Sequence, residues 1–376
     1  MDVLIRRLHQ IKVIIMMIFF SICSFFIFTK PWVLIERGDD ARDNAYFFYL
    51  YLKKNHPEQK VYYIIDNNSP DYCKVKENAV HFGSVKNYWA VAIAEKIISS
   101  HGYTGIPHMT QKLFHFLRIN QKYYFLQHGV VKDDIPSLHY DQTGVRLFVC
   151  GAKPEYEYIR EEFGYPPGSV QYTGLARYDT LHDAKTKNQI LIMPTWRMYI
   201  TDENHFLESA YYRQWNQILT DPRLAEYLEK KDLSAIFYPH YEVQKYLHLF
   251  HTGSDRIILA DFANYDVQTL LKESKLLVTD YSSVFFDFAY MRKPVVYFQF
   301  DQDKFFAKHY NRGYFSYQKM GFGPVTESVE STVDTIIQSA ECVFLPTDAY
   351  RERMEAFFPL YDQKNCERIY DAICSL

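Results

Sequence analysis

Short apolar runs alternate with longer segments of helical periodicity along most of the chain. The runs are rich in branched and aromatic residues, and in the first half they predict strands at residues 32–35, 61–65, 96–99, 123–127, 147–150 and 170–172. Segments between them, such as residues 41–55 and 154–163, have the spacing of helices, and Asp43 in the first turn of the former suits the helix dipole. This alternation is typical of strand–helix–strand units in a mostly parallel sheet, so the sequence predicts an α/β fold.

The pattern starts again after residues 181–188, a polar and charged stretch without apolar periodicity. Beyond it, strands are predicted at residues 189–193, 235–238, 256–259, 275–279 and 294–298, and closing helices at residues 328–340, 349–358 and 365–375. We therefore predict two domains, residues 31–185 and 186–376. Because paired α/β domains usually bind ligands in a cleft at the carboxyl ends of their strands, we expect the functional motifs directly after strands.

One segment near the start departs from this pattern. Residues 13–29 form an uncharged apolar run, with basic residues on both sides: Arg6, Arg7, Lys12 and Lys30. A transmembrane helix usually needs about 20 apolar residues, with about 17 as the lower limit, so the run is short for a span and suits shallow insertion. We predict residues 1–30 to be an uncleaved membrane-associating segment. A cleaved signal peptide and a buried core helix are the alternatives.

Composition and charge limit the classes of function that the chain can have. The 376 residues are 48% hydrophobic, enough for two cores of ordinary domain size, and a formal net charge of −3 provides no positive field for binding nucleic acid. No two cysteines have the close spacing of structural zinc or a redox dithiol. We interpret the six as reduced thiols in a cytoplasmic protein: Cys23, Cys73, Cys150, Cys342, Cys366 and Cys374.

The most specific motif lies at residues 279–289 (TDYSSVFFDFA), after a predicted strand and at the start of a predicted helix. The hydroxyls of Ser282 and Ser283 stand where a helix cap is preferred. The free amides of a first helical turn and the positive end of the helix dipole favour a phosphate there. The alternative is that the two serines only cap the helix.

Two histidines also follow apolar runs. His128 lies in residues 124–130 (YFLQHGV), before Gly129, which lets the backbone turn; its imidazole titrates near neutral pH and could accept a proton from a hydroxyl nucleophile. His240 ends residues 238–240 (YPH) and could bind a phosphate oxygen or protonate a leaving group. Both could instead be structural histidines.

Two arginines occupy corresponding positions in the two halves. Arg197 ends residues 193–197 (MPTWR), and Arg177 lies in residues 174–179 (GLARYD). A guanidinium suits a phosphate, but either arginine could instead be an interdomain salt-bridge partner. Because the motifs contain no carboxylate cluster or cysteine set suited to a metal, they indicate transfer of a phosphorylated group without a metal site or cofactor.

At these motifs the sequence resembles the CDP-glycerol glycerophosphotransferase family, which includes the teichoic acid primases and polymerases. Residues 279–301 match its most specific stretch, and residues 127–129, 174–179 and 194–197 match its other signatures in the same order. The resemblance runs from about Trp32 to the C-terminus. It implies a GT-B arrangement of two Rossmann-like domains, with the nucleotide held mainly by the C-terminal one.

The resemblance also implies roles for single residues. His128 matches the family histidine that activates the acceptor hydroxyl, and His240 looks like the histidine that contacts the donor diphosphate. The chain departs from the family at Val130, where a threonine is common, and at Pro239-His240, where the order His-Pro is common. The first departure removes a hydroxyl near the proposed base, and the second leaves the alignment of His240 open by one position.

We therefore predict a transferase that moves glycerol phosphate or a related polyol phosphate from CDP-glycerol or CDP-ribitol to a lipid-linked acceptor, releasing CMP. Its pathway would be teichoic acid or capsular polysaccharide synthesis, at the cytoplasmic side of the cell membrane. The predicted catalytic residues are His128 and His240, and the predicted donor-binding residues are Arg177, Arg197, Thr279, Asp280, Ser282 and Ser283. The alternatives are a GT-B glycosyltransferase that uses a nucleotide sugar and a membrane-bound assembly partner with a decayed site.

Overall fold

The computed structural model describes residues 2–102, 105–107, 110–182, 185–308 and 311–376. The chain divides into two compact units, each with its own parallel sheet, which confirms the α/β prediction. The first unit comprises Met1–Val130, Pro136–Thr180 and Asp362–Leu376, and the second comprises Val131–Ile135 and Leu181–Tyr361. The longer segment of the second unit begins at Leu181, which is also the first residue of the predicted linker 181–188. Residues 183 and 184 of that linker lie outside the described residues.

Seven parallel strands form the sheet of the first unit, in the order β3-β2-β1-β4-β5-β6-β7. They are β1 Trp32–Ile35, β2 Val61–Ile65, β3 Ala79–His81, β4 Lys96–Ser99, β5 Tyr123–Phe125, β6 Leu147–Cys150 and β7 Val170–Tyr172. Every residue of β1, β4, β5 and β6 is buried, as expected for strands covered on both faces. This burial explains the unbroken apolar runs of β1, β5 and β6. Strand β3 was not predicted, because a three-residue edge strand is too short to give a clear sequence pattern.

The helices of the first half are α1 Asp2–Cys23, α2 Asn44–Asn55, α3 Tyr72–Val75, α4 Val85–Ile93, α5 Gln111–Phe116, α6 Tyr140–Thr143 and α7 Lys153–Glu162. The predicted helix at residues 41–55 begins later than expected because Asp43 is its N-cap, with a side chain that accepts a hydrogen bond from the Asn44 amide.

Helix α1 contains most of the apolar run of residues 13–29, and it packs against α4. Val13 and Met17, one turn apart, are buried. Apolar side chains also point outward and are exposed: Ile11, Ile15, Ile18, Phe19 and Ile22. Within the described part of the chain, no helix is long and apolar enough to cross a membrane.

The second unit contains a six-stranded parallel sheet in the order β10-β9-β8-β11-β12-β13. Its strands are β8 Gln189–Ile192, β9 Ser234–Phe237, β10 Ile257–Leu259, β11 Leu276–Thr279, β12 Val295–Phe298 and β13 Val325–Thr326. The following helices are α8 Glu203–Leu207, α9 Ala210–Leu219, α10 Pro222–Lys230, α11 Tyr241–Gln244, α12 Val267–Glu273, α13 Val284–Tyr290, α14 Gln302–Lys308, α15 Tyr317–Met320, α16 Val329–Glu341 and α17 Asp348–Phe357. The core packs around the fully buried Trp215.

The last helix, α18 Asn365–Ser375, belongs to the first unit, although the predicted domain boundaries place it in the C-terminal domain. The backbone amide and the side-chain amide of Asn365 donate to Asp179 at 2.8 and 2.7 Å, and Nε of Arg368 donates to the Thr173 carbonyl at 2.9 Å. Gly174 has a φ of +78°, and a Cβ at this position would overlap the Asn365 side chain. These contacts join residues far apart in the sequence, which its local pattern cannot indicate.

Candidate functional site

All the predicted site residues lie at the carboxyl ends of strands. In the first unit His128 follows β5 and Arg177 follows β7; in the second, Arg197 follows β8 and His240 follows β9. The remaining predicted residues end or follow β11: Thr279, Asp280, Ser282 and Ser283. Because the strands of each sheet are parallel, the predicted residues of one unit lie along a single edge of its sheet.

His128 is exposed, and it follows a buried residue that is held by hydrogen bonds. The preceding residue, Gln127, is buried and has a φ of +59°, which ends β5 at Phe125 and not at residue 127 as predicted. The Gln127 side chain donates to Glu155 Oε1 at 3.0 Å, and the Gln127 carbonyl accepts from Asn44 Nδ2 at 2.7 Å. A left-handed residue of this kind is uncommon outside glycine and is found at functional sites where the surroundings hold it in place.

A second histidine, His101, lies beside His128 and was missed by the sequence analysis. Its ring is stacked on that of His128, with the ring centroids 5.2 Å apart and the planes 11° from parallel. Ser99 Oγ donates to the His101 carbonyl at 2.7 Å and accepts from the His101 amide at 3.0 Å. Burial lowers the pKa of His101 to about 2, with smaller contributions from His128 and two arginines, so His101 is neutral at neutral pH. His101 is the second residue after the predicted strand 96–99, and a histidine so close to a strand end was the signal that could have identified it.

Arg177 makes an ion pair within the first unit. Its Nη1 donates to Asp43 Oδ1 at 2.9 Å, its amide donates to Asn44 Oδ1 at 3.1 Å, and only 4% of the residue is exposed. The geometry therefore favours a salt bridge over a direct phosphate contact. This ion pair lies within the first unit, whereas the predicted alternative was an interdomain one. Because Asn44 also binds the Gln127 carbonyl, Arg177 helps to fix the support of His128.

The N-terminus of α2, where Rossmann-like units often bind phosphate, is occupied by a carboxylate of the protein itself. Glu36, directly after β1, accepts hydrogen bonds from the amides of Arg42, Asp43 and Tyr46 at 2.8, 2.9 and 2.9 Å. Burial raises the pKa of Glu36 well above its ordinary value, with nearby carboxylates adding to the shift. The first unit therefore offers no open anion site at this helix.

Arg197 is completely buried, contrary to the expectation that it faces a phosphate. Its Nε and Nη2 donate to the two carboxylate oxygens of Asp301 at 2.8 and 3.0 Å, and its Nη1 lies 2.8 Å from Asp280 Oδ2. Burial by itself lowers the pKa of Arg197, but Asp280 and Asp301 outweigh it and raise the pKa above the ordinary value, so the guanidinium is charged. Asp301 was not among the predicted site residues.

Thr279 and Asp280 also bind groups of their own unit. Thr279 Oγ1 donates to the Met193 carbonyl at 2.7 Å, and Asp280 Oδ1 accepts from the amides of Thr195 and Tyr281 at 2.8 and 2.6 Å. Both residues are fully buried. Burial raises the pKa of Asp280, although Arg197 and the two amides oppose the shift. These two predicted donor-binding residues hold the ends of β8 and β11 together and are not presented to a ligand.

Ser282 and Ser283 are half-buried at the start of α13. Ser283 occupies the N-cap position without making a side-chain cap bond. Among the residues that the structure describes, neither serine hydroxyl has a hydrogen-bond partner. The capping alternative is therefore not observed, and both hydroxyls are available to a ligand.

His240 is half-buried and is the N-cap of α11. Its Nδ1 accepts a hydrogen bond from the Glu242 amide at 3.3 Å, so in the neutral ring Nε2 carries the proton and can donate. The ring lies nearly parallel to that of Trp196, with centroids 6.0 Å apart, and the His240 amide donates to the Pro194 carbonyl at 3.1 Å.

Comparison with known proteins finds relatives in teichoic acid synthesis. The minor teichoic acid biosynthesis protein GgaB of Bacillus subtilis (strain 168) is 33% identical over 365 residues, which cover 92% of this chain and 40% of that protein. The teichoic acid poly(glycerol phosphate) polymerase of the same organism is 27% identical over 363 residues, 87% of this chain and 45% of that protein. The chain thus spans less than half the length of these two relatives.

Solved structures share the fold at low sequence identity. The wall teichoic acid polymerase TagF matches with a TM-score of 0.70 and 18% identity, covering 98% of this chain and 96% of that chain. The S. aureus MnaA–UDP co-structure matches with a TM-score of 0.60 and 15% identity, covering 92% and 96%. The family model for CDP-glycerol:poly(glycerophosphate) glycerophosphotransferase matches residues 18–375, and the chain therefore belongs to that family.

Proposed function

We propose that this chain transfers glycerol phosphate, or a related polyol phosphate, from a CDP-activated donor to a hydroxyl of a lipid-linked acceptor, and releases CMP. The pathway would be the synthesis of teichoic acid or a related capsular polymer. The observation that carries the proposal is the geometry of His128. His128 matches the histidine that acts as the base in the family to which the chain belongs. Its imidazole is exposed, and the preceding residue, Gln127, is buried and held by hydrogen bonds.

In the proposed reaction, His128 accepts the proton of the acceptor hydroxyl as the hydroxyl oxygen attacks the phosphorus attached to glycerol. A new phosphodiester bond forms, and the bond from this phosphorus to the bridging oxygen of the diphosphate breaks. CMP leaves with the bridging oxygen and its electron pair. Nε2 of His240 and the hydroxyls of Ser282 and Ser283 would donate hydrogen bonds to the diphosphate and stabilise the charge that develops on it.

The relatives support a CDP-alcohol as donor without deciding which alcohol it is. They include a poly(glycerol phosphate) polymerase and a poly(ribitol-phosphate) polymerase, and one TagF structure was obtained with CDPG. The GT-B arrangement that the resemblance implies is also part of this proposal. In it, the second unit binds the nucleotide, in keeping with the occupied helix N-terminus beside Glu36 in the first unit.

We further propose that α1 places the enzyme on the cytoplasmic face of the cell membrane, where its acceptor would be anchored. The outward face of α1 is apolar, with Ile15 and Ile22 63% and 65% exposed, and Lys12 and Lys30 flank it. An apolar helix face bordered by lysines suits insertion at the boundary between headgroups and acyl chains. In this proposal the helix lies on the membrane and does not cross it.

The decisive experiment incubates the purified protein with CDP-glycerol or CDP-ribitol and a lipid-linked acceptor, then measures product mass and the released nucleotide. We expect an acceptor heavier by one or more alcohol phosphate units, with an equivalent amount of CMP. A glycosyltransferase would instead add a sugar from a nucleotide sugar and release a nucleoside diphosphate. Sugar transfer with no transfer from either CDP-alcohol would overturn the proposal.

A further inference from the structure

A buried charge cluster joins the ends of three neighbouring strands in the second unit. Arg197 follows β8, Asp280 follows β11 and Asp301 follows β12, and these strands are adjacent in the sheet. The guanidinium binds Asp301 through two parallel hydrogen bonds of 2.8 and 3.0 Å and lies 2.8 Å from Asp280. We call these three residues the Arg197 cluster.

Two tyrosine hydroxyls bind the same carboxylate of this cluster. Tyr281 donates to Asp301 Oδ1 at 3.2 Å, and Tyr199 donates to Asp301 Oδ2 at 3.1 Å. The Tyr281 ring is also stacked on Phe305, with centroids 3.9 Å apart. The two hydrogen bonds are therefore similar in length and acceptor, but they arise from different loops.

Tyr281 connects the Arg197 cluster to the open serine hydroxyls, because it directly precedes Ser282 and Ser283. The Tyr281 amide donates to Asp280 at 2.6 Å and the Tyr281 hydroxyl donates to Asp301, so backbone and side chain are both held by the cluster. No serine side-chain cap fixes the start of α13. The conformation of residues 281–283, which we call the serine turn, therefore depends on the Arg197 cluster.

Stability alone is a weak explanation for such a cluster. Two carboxylates share one guanidinium, and the side chains of Arg197 and Asp280 are fully buried. The desolvation of buried ion pairs often cancels their attraction. A bidentate arginine–carboxylate pair does, however, fix the relative orientation of the groups that it joins. The arrangement is therefore better explained by the orientation that it fixes than by a contribution to stability.

We propose that Arg197 and Asp301 are positioning residues, which hold the Tyr281–Ser283 turn in the conformation that binds the donor diphosphate and make no contact with the donor. This inference rests on the proposed function, in which Ser282 and Ser283 bind that diphosphate. It replaces the direct phosphate contact that the sequence predicted for Arg197.

The two tyrosines provide a matched pair of variants, Tyr281→Phe and Tyr199→Phe. Each removes one hydrogen bond to Asp301, but only the first loosens the serine turn. Since a hydrogen bond to a charged group contributes roughly 1.5–3 kcal/mol, Tyr281→Phe should raise the KM for CDP-glycerol by about 10-fold or more. Tyr199→Phe should leave it within about twofold. Equal effects of the two variants would overturn the inference.

A double-mutant cycle separates positioning from direct contact. If Arg197 acts through the serines, Arg197→Lys should raise the donor KM in the wild-type background and have little further effect when Ser282 and Ser283 are both alanine. Additive losses would mean direct contact and would overturn the inference. If Arg197→Lys does not fold, the same cycle is carried out with Tyr281→Phe.

Hydrogen exchange of the backbone amides at residues 281–286 tests the inference without any substrate. Tyr281→Phe should accelerate this exchange more than Tyr199→Phe does, and equal rates in the two variants would contradict the positioning role. Absence of wild-type turnover with every CDP-alcohol would count against the proposed function. Normal wild-type turnover combined with additive losses would count against this inference alone.

Discussion

At the residue scale, the side chains that follow the strands fall into two groups. Arg177 and Arg197 are buried and paired with carboxylates of their own units, whereas His128 is exposed and the two serine hydroxyls are open. The physical reason is that a guanidinium is always charged and must be paired when it is buried. A neutral imidazole or a hydroxyl has a smaller desolvation cost and can remain available to a ligand.

His128 is the residue on which the proposed mechanism depends most. General-base assistance typically contributes 10²–10⁴-fold, so His128→Ala should lower turnover by about that factor with little change in donor affinity. Melting temperature should change little because the side chain is exposed. The comparison variant is His240→Ala, which should weaken donor binding as well as slow turnover. Near-normal turnover of His128→Ala would remove this residue as the base.

Ser282 and Ser283 should contribute to donor binding directly. Replacing both by alanine should weaken the affinity for a CDP-alcohol, because each hydrogen bond to a charged phosphate contributes roughly 1.5–3 kcal/mol. Neither hydroxyl caps α13, so thermal stability should be largely retained. Calorimetric titration with the donor and a melting curve measure the two effects. Unchanged affinity together with a lower melting temperature would restore the capping interpretation.

The lowered pKa of His101 predicts how stability depends on pH. The unfolded chain protonates His101 near its ordinary pKa of 6.5, whereas the folded protein does so only near about 2. The stability that this residue contributes is therefore present above pH 6.5. It is lost as the pH falls from 6.5 to about 2, at up to about 1.4 kcal/mol per pH unit.

The variant His101→Asn should lack this contribution. Its free energy of unfolding relative to that of the wild type should therefore increase as the pH is lowered from about 7 to about 5. Urea unfolding at both pH values measures the difference. The same exchange at the exposed His251 is the control. A stability difference between His101→Asn and the wild type that is constant with pH would contradict the prediction.

At the scale of elements, α1 has two faces, and each fits one of the alternatives predicted from the sequence. Val13 and Met17 are buried against the rest of the first unit, while the opposite face of the helix is apolar and exposed. A buried core helix and a membrane-associating helix are therefore compatible descriptions of different faces. Removal of residues 1–30 would also uncover α4, so point substitutions on the outward face are the cleaner test.

We expect Ile15→Glu combined with Ile22→Glu to weaken binding to vesicles that contain anionic lipid, because two charges would replace apolar area at the membrane boundary. The fold should be retained, since both side chains are largely exposed. Gln338→Glu, an exposed change on α16, is the control for added negative charge. Cosedimentation with vesicles measures binding, and unchanged binding of the double variant would contradict the membrane role of α1.

At the scale of the whole molecule, the chain returns to its first unit at the end. Helix α18 is held there by Asn365, which is fully buried and donates twice to Asp179. Asp179 in turn belongs to the segment that follows β7 and contains Arg177. The last helix therefore supports the loop whose arginine helps to fix the support of His128.

Replacing Asn365 by alanine should destabilise the first unit by about 1–3 kcal/mol, because it removes the side-chain donor to the Asp179 carboxylate and the acceptor of an Arg368 hydrogen bond. Hydrogen exchange should then accelerate in the first unit and stay unchanged in the second. Asp348→Ala, which breaks an exposed ion pair on α17, is the matched control. Equal acceleration in both units would contradict the assignment of α18 to the first.

The sequence by itself determined the α/β class, most strands and the location of the motifs. Buried parallel strands need unbroken apolar runs, and helices covering them need helical periodicity, so both are visible in short windows. The strand at residues 147–150 was predicted with its observed bounds for this reason. The motif residues could also be placed at strand ends, because each motif directly follows such a run.

Only the tertiary structure decided which of these residues a ligand can reach. Arg197 and Asp301 are 104 positions apart in the sequence, and the stacked histidines His101 and His128 follow different strands. The same holds for α18, whose partners lie almost two hundred residues earlier. Local periodicity reports whether a segment is buried, but the partner of a buried charge depends on which strand ends the topology makes adjacent, and no short window of sequence contains that information.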